Sequence, residues 1–244
     1  MLLRRTSRLA IAALLLAAVL WTVVAVGFAL QAWLRLPELS AWHSIVLEHE
    51  FHSGRGDAAT TFPAYLEQEA RLFAELKQRL YDEPGKASRE PYDRYTPGSP
   101  VARLALDSNG NRSGVTRAND GRGAVLLLHG LTDAPYSLQA VGRALHARGF
   151  HVVALRLPGH GTVPAALTRA SWQDWDAAVL LAARHAAALA GGKPFYIAGY
   201  STGAPLALLY ALRAIDDPTL PMPTRLLLFS PAIGVTEFAV MTQA

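Results

Sequence analysis

The stretch GYSTG at residues 199–203 lies between an apolar run, Pro194–Ala198, and a helix-like run, Pro205–Ala214. A G-x-S-x-G pattern between a strand and a helix is typical of a nucleophile elbow, a tight turn that lifts the serine hydroxyl clear of the sheet. Such a turn strains the backbone of its serine and requires small residues on both sides. The two glycines meet that requirement, so the stretch predicts a strand–turn–helix unit with Ser201 as candidate nucleophile.

A second motif follows Ala124–Leu128, an apolar run with the length of a buried parallel strand. The run ends directly in HGLT at residues 129–132. In acyl transfer the tetrahedral intermediate carries a negative oxygen, which preorganised backbone N–H groups stabilise by about 3–4 kcal/mol per donor. The expected donors are the N–H groups of Leu131, next after the His-Gly pair, and of Thr202, next after the candidate nucleophile.

Strands and helices alternate through the second half of the chain. Strands are predicted at Ala124–Leu128, His151–Leu157, Pro194–Ala198 and Arg225–Phe229, and helices at Pro135–Arg148, Trp172–Leu189 and Pro205–Ala214. This alternation predicts the α/β class, with a mostly parallel sheet and helices on both faces. Because ligands bind beyond the carboxyl ends of parallel strands, the HGLT loop and Ser201 are expected on the same rim of the sheet.

Three motifs in this order make the chain resemble the α/β-hydrolase family: HGLTDAPYS at 129–137, LPGHGT at 157–162 and GYSTGAP at 199–205. The resemblance is to its monoglyceride-lipase-like and serine-aminopeptidase-like branch and covers about residues 100–244. It implies an α/β-hydrolase fold and a serine hydrolase that cleaves carboxylic esters. The implied site residues are the nucleophile Ser201, the oxyanion-hole donors Leu131 and Thr202, and the supporting residues His129, Gly130, Gly199 and Gly203.

The family's catalytic acid and general-base histidine follow the elbow, and neither maps onto this sequence. No histidine follows Ser201, and the acids after it are Asp216, Asp217 and Glu237. Asp216 and Asp217 are expected in a solvated turn, and Glu237 is not at the usual place for the acid. We interpret the chain as the N-terminal part of a longer hydrolase, truncated before its acid and base. It is then expected to be almost inactive and to expose an apolar sheet edge.

His160, in the loop after the predicted strand His151–Leu157, is the alternative candidate for a base because it lies on the same rim. The resemblance implies instead that this glycine-containing loop is architectural. The other histidines show no metal spacing, since His49 and His52 lack a third ligand at a recognisable interval. Neither a dinucleotide fingerprint nor a phosphate loop is present. We therefore expect no metal and no cofactor.

Residues 9–34 carry no charge and consist mostly of Ala, Leu and Val. At about 1.5 Å per residue such a helix extends about 39 Å, enough to cross a hydrocarbon core of about 30 Å with some tilt. Three arginines lie within residues 4–8, and Arg35 is the only nearby basic residue after the apolar stretch. The positive-inside rule therefore predicts a single-pass anchor with a cytoplasmic N-terminus and an exported domain, periplasmic if bacterial. A signal peptide cleaved near residues 25–27 is the alternative.

The chain divides into three predicted parts. These are a basic flank with a transmembrane anchor, a connecting region and the N-terminal part of an α/β-hydrolase domain, at residues 1–40, 41–100 and 101–244. Apolar residues recur near helical spacing over Phe62–Leu80, which predicts an amphipathic helix laid against the hydrolase domain. An early strand is predicted at Val101–Leu106, and turns at Asp107–Gly123.

The formal charge of +4 and pI of 9.6 come from scattered arginines, three of them in the membrane flank. Without a basic stripe or an aromatic-basic platform, nucleic acid is not an expected partner. Two function classes remain open. The first is a membrane-anchored serine hydrolase acting on lipid or other small esters, with a serine peptidase of the same fold as a variant. The second is a non-catalytic scaffold that binds a ligand or a partner, suggested by the missing acid and base.

Overall fold

The structure is a computed structural model that divides the chain into two units, Met1–Leu39 and Ser40–Ala244. The residues it describes are 2–34, 41–81, 95, 98–104 and 109–234. The first unit contains one helix, α1, Leu2–Leu34. Its segment Ile11–Leu34, 24 residues with a mean hydropathy of 2.6, is long and apolar enough to cross a membrane. A helix of this kind near an N-terminus is a candidate membrane span or signal sequence.

The second unit contains a five-stranded sheet flanked by helices. Its strands are β1 Gly114–Thr116, β2 Ala124–Leu128, β3 His151–Leu155, β4 Phe195–Tyr200 and β5 Arg225–Phe229. Its α-helices are α2 Ala41–Ser44, α3 Phe62–Leu76, α4 Gln139–His146, α5 Pro164–Leu167, α6 Trp172–Ala190 and α7 Gly203–Asp216. A π-helical turn, Lys77–Tyr81, extends α3, and 3-10 turns occupy Ala102–Leu104 and Pro135–Leu138.

The strand order is β1-β3-β2-β4-β5, in which β1 is antiparallel to β3 and the other neighbours are parallel. Side chains alternate between the two faces of a strand. Leu126 and Leu128 of β2 accordingly join a core cluster with α6 and α7, whereas Val125 and Leu127 pack with residues of α4. The predicted class, a mostly parallel α/β sheet with helices on both faces, is confirmed.

Two local predictions are wrong. Within the predicted early strand Val101–Leu106, the described residues form a 3-10 turn, Ala102–Leu104; residues 105–108 lie outside the described part. The predicted turn region Asp107–Gly123 contains β1, which pairs with β3. Because β1 has three residues, none of them fully buried, it leaves no periodic pattern, and its partner strand decides its conformation.

Helix α3 packs against the core of the sheet. Thr61 caps its N-terminus by accepting a hydrogen bond from the N–H of Ala64 at 3.3 Å. Phe62 and Tyr65 are 1% exposed and belong to the core cluster that contains β2, β3 and α6. Large buried aromatic surfaces dominate core energetics, so residues of the predicted connecting region form part of the same core as the sheet.

A buried ion network joins the connecting region, residues 41–100, to the end of β3. The Arg156 guanidinium lies 2.9 Å from Oε1 of Glu50 and 3.1 Å from Oε2 of Glu69. The Arg156 side chain is 1% exposed, and those of its two partners are 4% and 3% exposed. Burial disfavours the charged guanidinium, but attraction by Glu50 and by Glu69 outweighs this and raises the pKa of Arg156. The network therefore links the backbone directly after β3 to the segments that carry Glu50 and Glu69.

A second link runs from the connecting region to the start of α6. The Asp174 carboxylate accepts hydrogen bonds from the N–H and hydroxyl of Ser171, forming a capping box, and from the N–H of Ser53. Burial favours the protonated acid, yet the bonds from Ser171 and Ser53 outweigh it and lower the pKa of Asp174 to about 2. Asp174 therefore stays ionised and holds the two segments together.

Candidate active site

Ser201 lies in the turn between β4 and α7 with a φ of 50°. A non-glycine residue rarely adopts this left-handed conformation, and such strain occurs mainly at functional sites. The turn is held by neighbouring backbone groups: the N–H of Ser201 donates to the carbonyl of Phe229 at 3.0 Å, and its carbonyl accepts from Ala204 at 3.1 Å. This is the backbone geometry of a nucleophile elbow.

Gly199 and Gly203 let β4 and α7 approach closely. A Cβ atom on Gly199 would lie 2.6 Å from the backbone nitrogen of Ala204. A Cβ atom on Gly203 would lie 2.8 Å from the carbonyl oxygen of His129 and still closer to that of Leu128. Real Cβ atoms essentially never approach within 3.0 Å. Both positions therefore require glycine, as the elbow motif predicts.

His129 is completely buried and holds the loop that follows β2. Its Nε2 accepts a hydrogen bond from the N–H of Leu157 at 3.0 Å, so the proton resides on Nδ1, which donates to the carbonyl of Gly130 at 2.8 Å. Burial lowers the pKa of His129 to about 3, against the effect of the Gly130 carbonyl. With both nitrogens engaged and the ring neutral, His129 orders the loop and is not available as a base.

The structure brings this loop against the elbow. A Cβ atom on Gly130 would lie 3.3 Å from Cβ of Ser201 and 3.3 Å from Cδ1 of Tyr200. Neither the N–H of Leu131 nor that of Thr202 has a hydrogen-bond partner among the residues described. Two backbone donors without a partner among the described residues thus directly follow Gly130 and Ser201 in the chain. This arrangement is suited to bind a negative oxygen.

None of the contacts among the described residues joins His160 to Ser201. Its Nδ1 donates to the carbonyl of Pro158 at 3.0 Å, and its ring packs on His129 and Trp175 with centroids 4.9 and 5.5 Å away. Burial lowers the pKa of His160. The ring is neutral and fixed by packing, which is the architectural role that the resemblance implies.

The hydroxyl of Ser201 has no hydrogen-bond partner among the described residues. Asp216 ends α7 and is exposed. Asp217 accepts hydrogen bonds from the hydroxyl and N–H of Thr219, which lower its pKa and close a surface turn. Glu237 lies outside the described residues. The described part also contains no group of His, Cys, Asp or Glu that could hold a metal ion.

Asp133 lies inside the HGLTDAPYS motif and was not predicted as a site residue. Its Oδ2 lies 3.1 Å from the position that a Cβ atom on Gly130 would take. Its N–H donates to the carbonyl of Gly130 at 3.2 Å, which closes the loop. The motif could have drawn attention to this acid, but its proximity to the elbow depends on how the loop folds back.

The sheet order, with a strand–turn–helix unit at its rim, places the chain among the α/β-hydrolases. More narrowly, it belongs to the serine aminopeptidase S33 family (Hydrolase_4), whose profile matches residues 119–243. Over 62 residues, 25% of either chain, it is 39% identical to the thermostable monoacylglycerol lipase of Bacillus sp. (strain H-257). The chain thus aligns with about a quarter of that curated relative.

Two solved structures are similar to this chain over about half of their length. The first, from the metagenome-derived lipolytic enzymes LipS and LipT, is 25% identical, with 55% of this chain and 51% of that one covered and a TM-score of 0.47. The second, the monoacylglycerol lipase of Paleococcus ferrophilus, is 22% identical, with 53% and 48% covered and a TM-score of 0.43.

Proposed function

We propose that this chain carries the nucleophile and oxyanion hole of a serine hydrolase acting on carboxylic esters. The observation that carries the proposal is Ser201 at positive φ, pressed against Gly130. The serine oxygen attacks the ester carbonyl while its proton passes to a base, and the tetrahedral intermediate collapses to an acyl-enzyme as that proton is given to the departing alcohol. The N–H groups of Leu131 and Thr202 stabilise the negative oxygen of that intermediate.

A lipid ester is the substrate class that we propose. The support is the similarity to a lipase whose name specifies monoacylglycerol, together with membership in a hydrolase family. The family name also specifies a serine aminopeptidase, so a peptidase is the second candidate. Hydrolysis of a p-nitrophenyl ester but not of an aminoacyl p-nitroanilide would support the ester assignment, and the reverse would support the peptidase.

Ser201 should react with a fluorophosphonate probe about 10²-fold faster than an ordinary serine, because each oxyanion-hole donor contributes about 10²–10³ in rate. Ser201→Ala should remove this labelling. The matched control is Ser230→Ala, since Ser230 also has a positive φ, 43°, at the carboxyl end of the neighbouring strand. Mass spectrometry of the labelled peptide identifies the modified residue.

Imidazole should accelerate the labelling of Ser201 but not of Ser230, because the Ser201 hydroxyl has no hydrogen-bonded base among the described side chains. Fast labelling without any response to imidazole would mean that a group of the chain, such as His160, acts as base. Equal labelling of Ser201 and Ser230 under both conditions would contradict the proposed nucleophile and favour the non-catalytic scaffold.

We propose further that α1 is an uncleaved anchor with its N-terminus in the cytoplasm. The support is the hydropathy of Ile11–Leu34 and the arginines that precede it. The chain has no cysteine, so single cysteines can be introduced at Thr6→Cys and at Gln173→Cys, an exposed position. In bacterial spheroplasts, an impermeant maleimide should label the Gln173→Cys variant at once, but label the Thr6→Cys variant only after permeabilisation. Loss of the Thr6 region from the mature protein would show cleavage instead.

A further inference from the structure

A row of basic side chains lies at the end of the sheet opposite the elbow. Each of the five strands contributes one of them, either in the adjoining loop or as the first residue of the strand. In the order of the strands β1-β3-β2-β4-β5 they are Arg117, Arg148, Arg122, Lys193 and Arg225, here called the basic row. These residues are scattered in the sequence, and the strand order brings them to one edge.

Hydrogen bonds join each segment that carries a member of the basic row to the next one. The bonds, written with the donor first, are Ala118 to His151, Arg122 to Gly149, Lys193 to Gly121 and Thr224 to Phe195. Neighbouring strands of a sheet lie about 4.8 Å apart, so five strands give the row a length of about 19 Å. The basic row is therefore a continuous edge of fixed spacing.

All five side chains of the basic row belong to exposed residues. Among the described residues, none of the five forms an ion pair with a carboxylate. Other exposed cations of this chain do so, as Arg55 pairs with Asp57. Adjacent cations without counter-ions create a positive potential that extends into the solvent. The basic row thus presents its charge to a partner outside the fold.

The basic row accounts for the net charge of the whole chain. The segments that carry it, residues 117–123, 147–151, 191–195 and 223–225, contain five of the 23 Lys and Arg residues and one of the 19 acids, Asp120. The other 18 basic and 18 acidic residues cancel, so the formal charge of +4 arises in these segments. Asp217, in the turn before β5, has its carboxylate bonded to Thr219. The protein is therefore polarised, with its excess positive charge at one end.

Two kinds of polyanion match such an edge, nucleic acid and an anionic bilayer surface. Proteins that bind nucleic acid combine cations with exposed rings that stack on bases, or with an element that enters a groove. The aromatic rings of these segments belong to Phe150 and Phe195, which are half-buried and buried. The chain also carries the segment Ile11–Leu34, which is long and apolar enough to cross a membrane. These observations favour the bilayer surface.

We propose that the basic row binds the headgroups of anionic phospholipids at a bilayer surface. The row lies at the amino ends of the parallel strands, whereas Ser201 follows the carboxyl end of β4. Docking through the row therefore directs the rim that carries Ser201 toward water. The inference does not depend on the chemistry of Ser201. A measurement of distance to the lipid, without turnover, tests it separately from the proposed catalysis.

The test measures energy transfer from a dye on the full chain to an acceptor on the headgroups of nanodiscs, with or without phosphatidylglycerol in phosphatidylcholine. The chain has no cysteine, so the dye is attached at Asn119→Cys, beside the basic row, or at Gln173→Cys, at the start of α6 on the opposite rim. Both positions are exposed. Phosphatidylglycerol should raise the transfer from the Asn119→Cys label and not from the Gln173→Cys label.

Salt should reverse this rise, because the Debye length falls from about 10 Å at 0.1 M to about 3 Å at 1 M. Transfer from the Asn119→Cys label that is the same in both lipids would overturn the proposal. A rise at the Gln173→Cys label that equals or exceeds the rise at Asn119→Cys would do so as well, because the domain would then not dock through the basic row.

Neutralising part of the basic row should release the domain from the lipid. The triple variant Arg117→Gln, Arg122→Gln and Arg225→Gln removes three cations whose guanidinium groups have no hydrogen bond among the described residues. Each Lys or Arg near an anionic membrane strengthens binding about fivefold, so the ratio of docked to undocked protein should fall about 10²-fold. Thermal unfolding shows whether the variant is folded, and the salt series on the parent chain tests the proposal without any change of charge.

The matched control is the triple variant Arg71→Gln, Lys77→Gln and Arg169→Gln. It removes the same charge from exposed positions outside the basic row and should lower the ratio less than about threefold. An equal fall in both triple variants would show that net charge, and not the basic row, attracts the bilayer. If a DNA duplex bound the parent chain while phosphatidylglycerol had no effect, the partner would be nucleic acid and the lipid assignment would be wrong.

Discussion

Arg156→Met lowers the free energy of unfolding by about 3–5 kcal/mol, the expected result of removing one partner from a buried ion network. The Arg156 side chain is 1% exposed, and it contacts both Glu50 and Glu69. Methionine has a similar shape, so little packing is lost. The two carboxylates, however, remain buried without their counter-ion. For a unit of this size the melting temperature should fall by roughly 6–20 °C, which differential scanning calorimetry measures.

The control for this variant is Arg55→Met. Arg55 also pairs with a carboxylate, Asp57 at 3.3 Å, but both side chains are exposed. Exposed ion pairs contribute about 0–1 kcal/mol to stability, so the melting temperature of this variant should be close to that of the parent chain. A triple variant with Glu50→Gln, Arg156→Met and Glu69→Gln should recover part of the loss, because it leaves no uncompensated charge. If Arg156→Met were no more destabilising than Arg55→Met, the network would not hold the domain together.

Gly203→Ala should disrupt the elbow. The added Cβ atom would overlap the carbonyl oxygen of Leu128 and lie 2.8 Å from that of His129, both at the end of β2. Backbone atoms cannot rotate away as a side chain can, so α7 must shift from β2. Overpacking of this kind costs about 1–3 kcal/mol or more. The same shift separates Ser201 from the oxyanion loop, and a displacement near 1 Å can lower reactivity about 10²-fold.

Fluorophosphonate labelling measures the effect on Ser201, and calorimetry measures the stability of the same samples. Gly114→Ala is the control, since a Cβ atom on Gly114 meets nothing within 4 Å. The labelling rate and the melting temperature of Gly114→Ala should equal those of the parent chain. A Gly203→Ala variant that labelled at the rate of Gly114→Ala would show that the close approach of α7 and β2 does not position Ser201.

The strands of the sheet centre could be predicted because their local pattern and tertiary surroundings agree. All five residues of β2 are buried, and β5 has the predicted bounds, Arg225–Phe229. The predicted strand His151–Leu157 ends at Leu155, and the predicted strand Pro194–Ala198 is shifted to Phe195–Tyr200. Strand ends shift by one or two residues because the register with neighbours, not the apolar run, decides where pairing stops.

The candidate site was predictable where the chemistry depends on neighbours along the chain. The motif around Ser201 requires glycine on both sides, and the structure gives the reason in the contacts of Gly199 and Gly203. The fixed tautomer of His129 depends on contacts across the fold. Those contacts join segments far apart in the sequence, as in the hydrogen bond from Leu157 to His129. A local pattern carries no signal for them.

By itself the sequence determined the order of the strands from β2 to β5 and of the longer helices between them, the apolar segment near the N-terminus and the elbow motif, because each depends on periodicity or on residues within a few positions. The tertiary structure decided that part of Asp107–Gly123 pairs as a strand, that Glu50 and Glu69 meet Arg156, and that Gly130 lies against Ser201. These contacts join segments distant in the chain, and their energies come from burial and charge pairing that exist only once the sheet has formed.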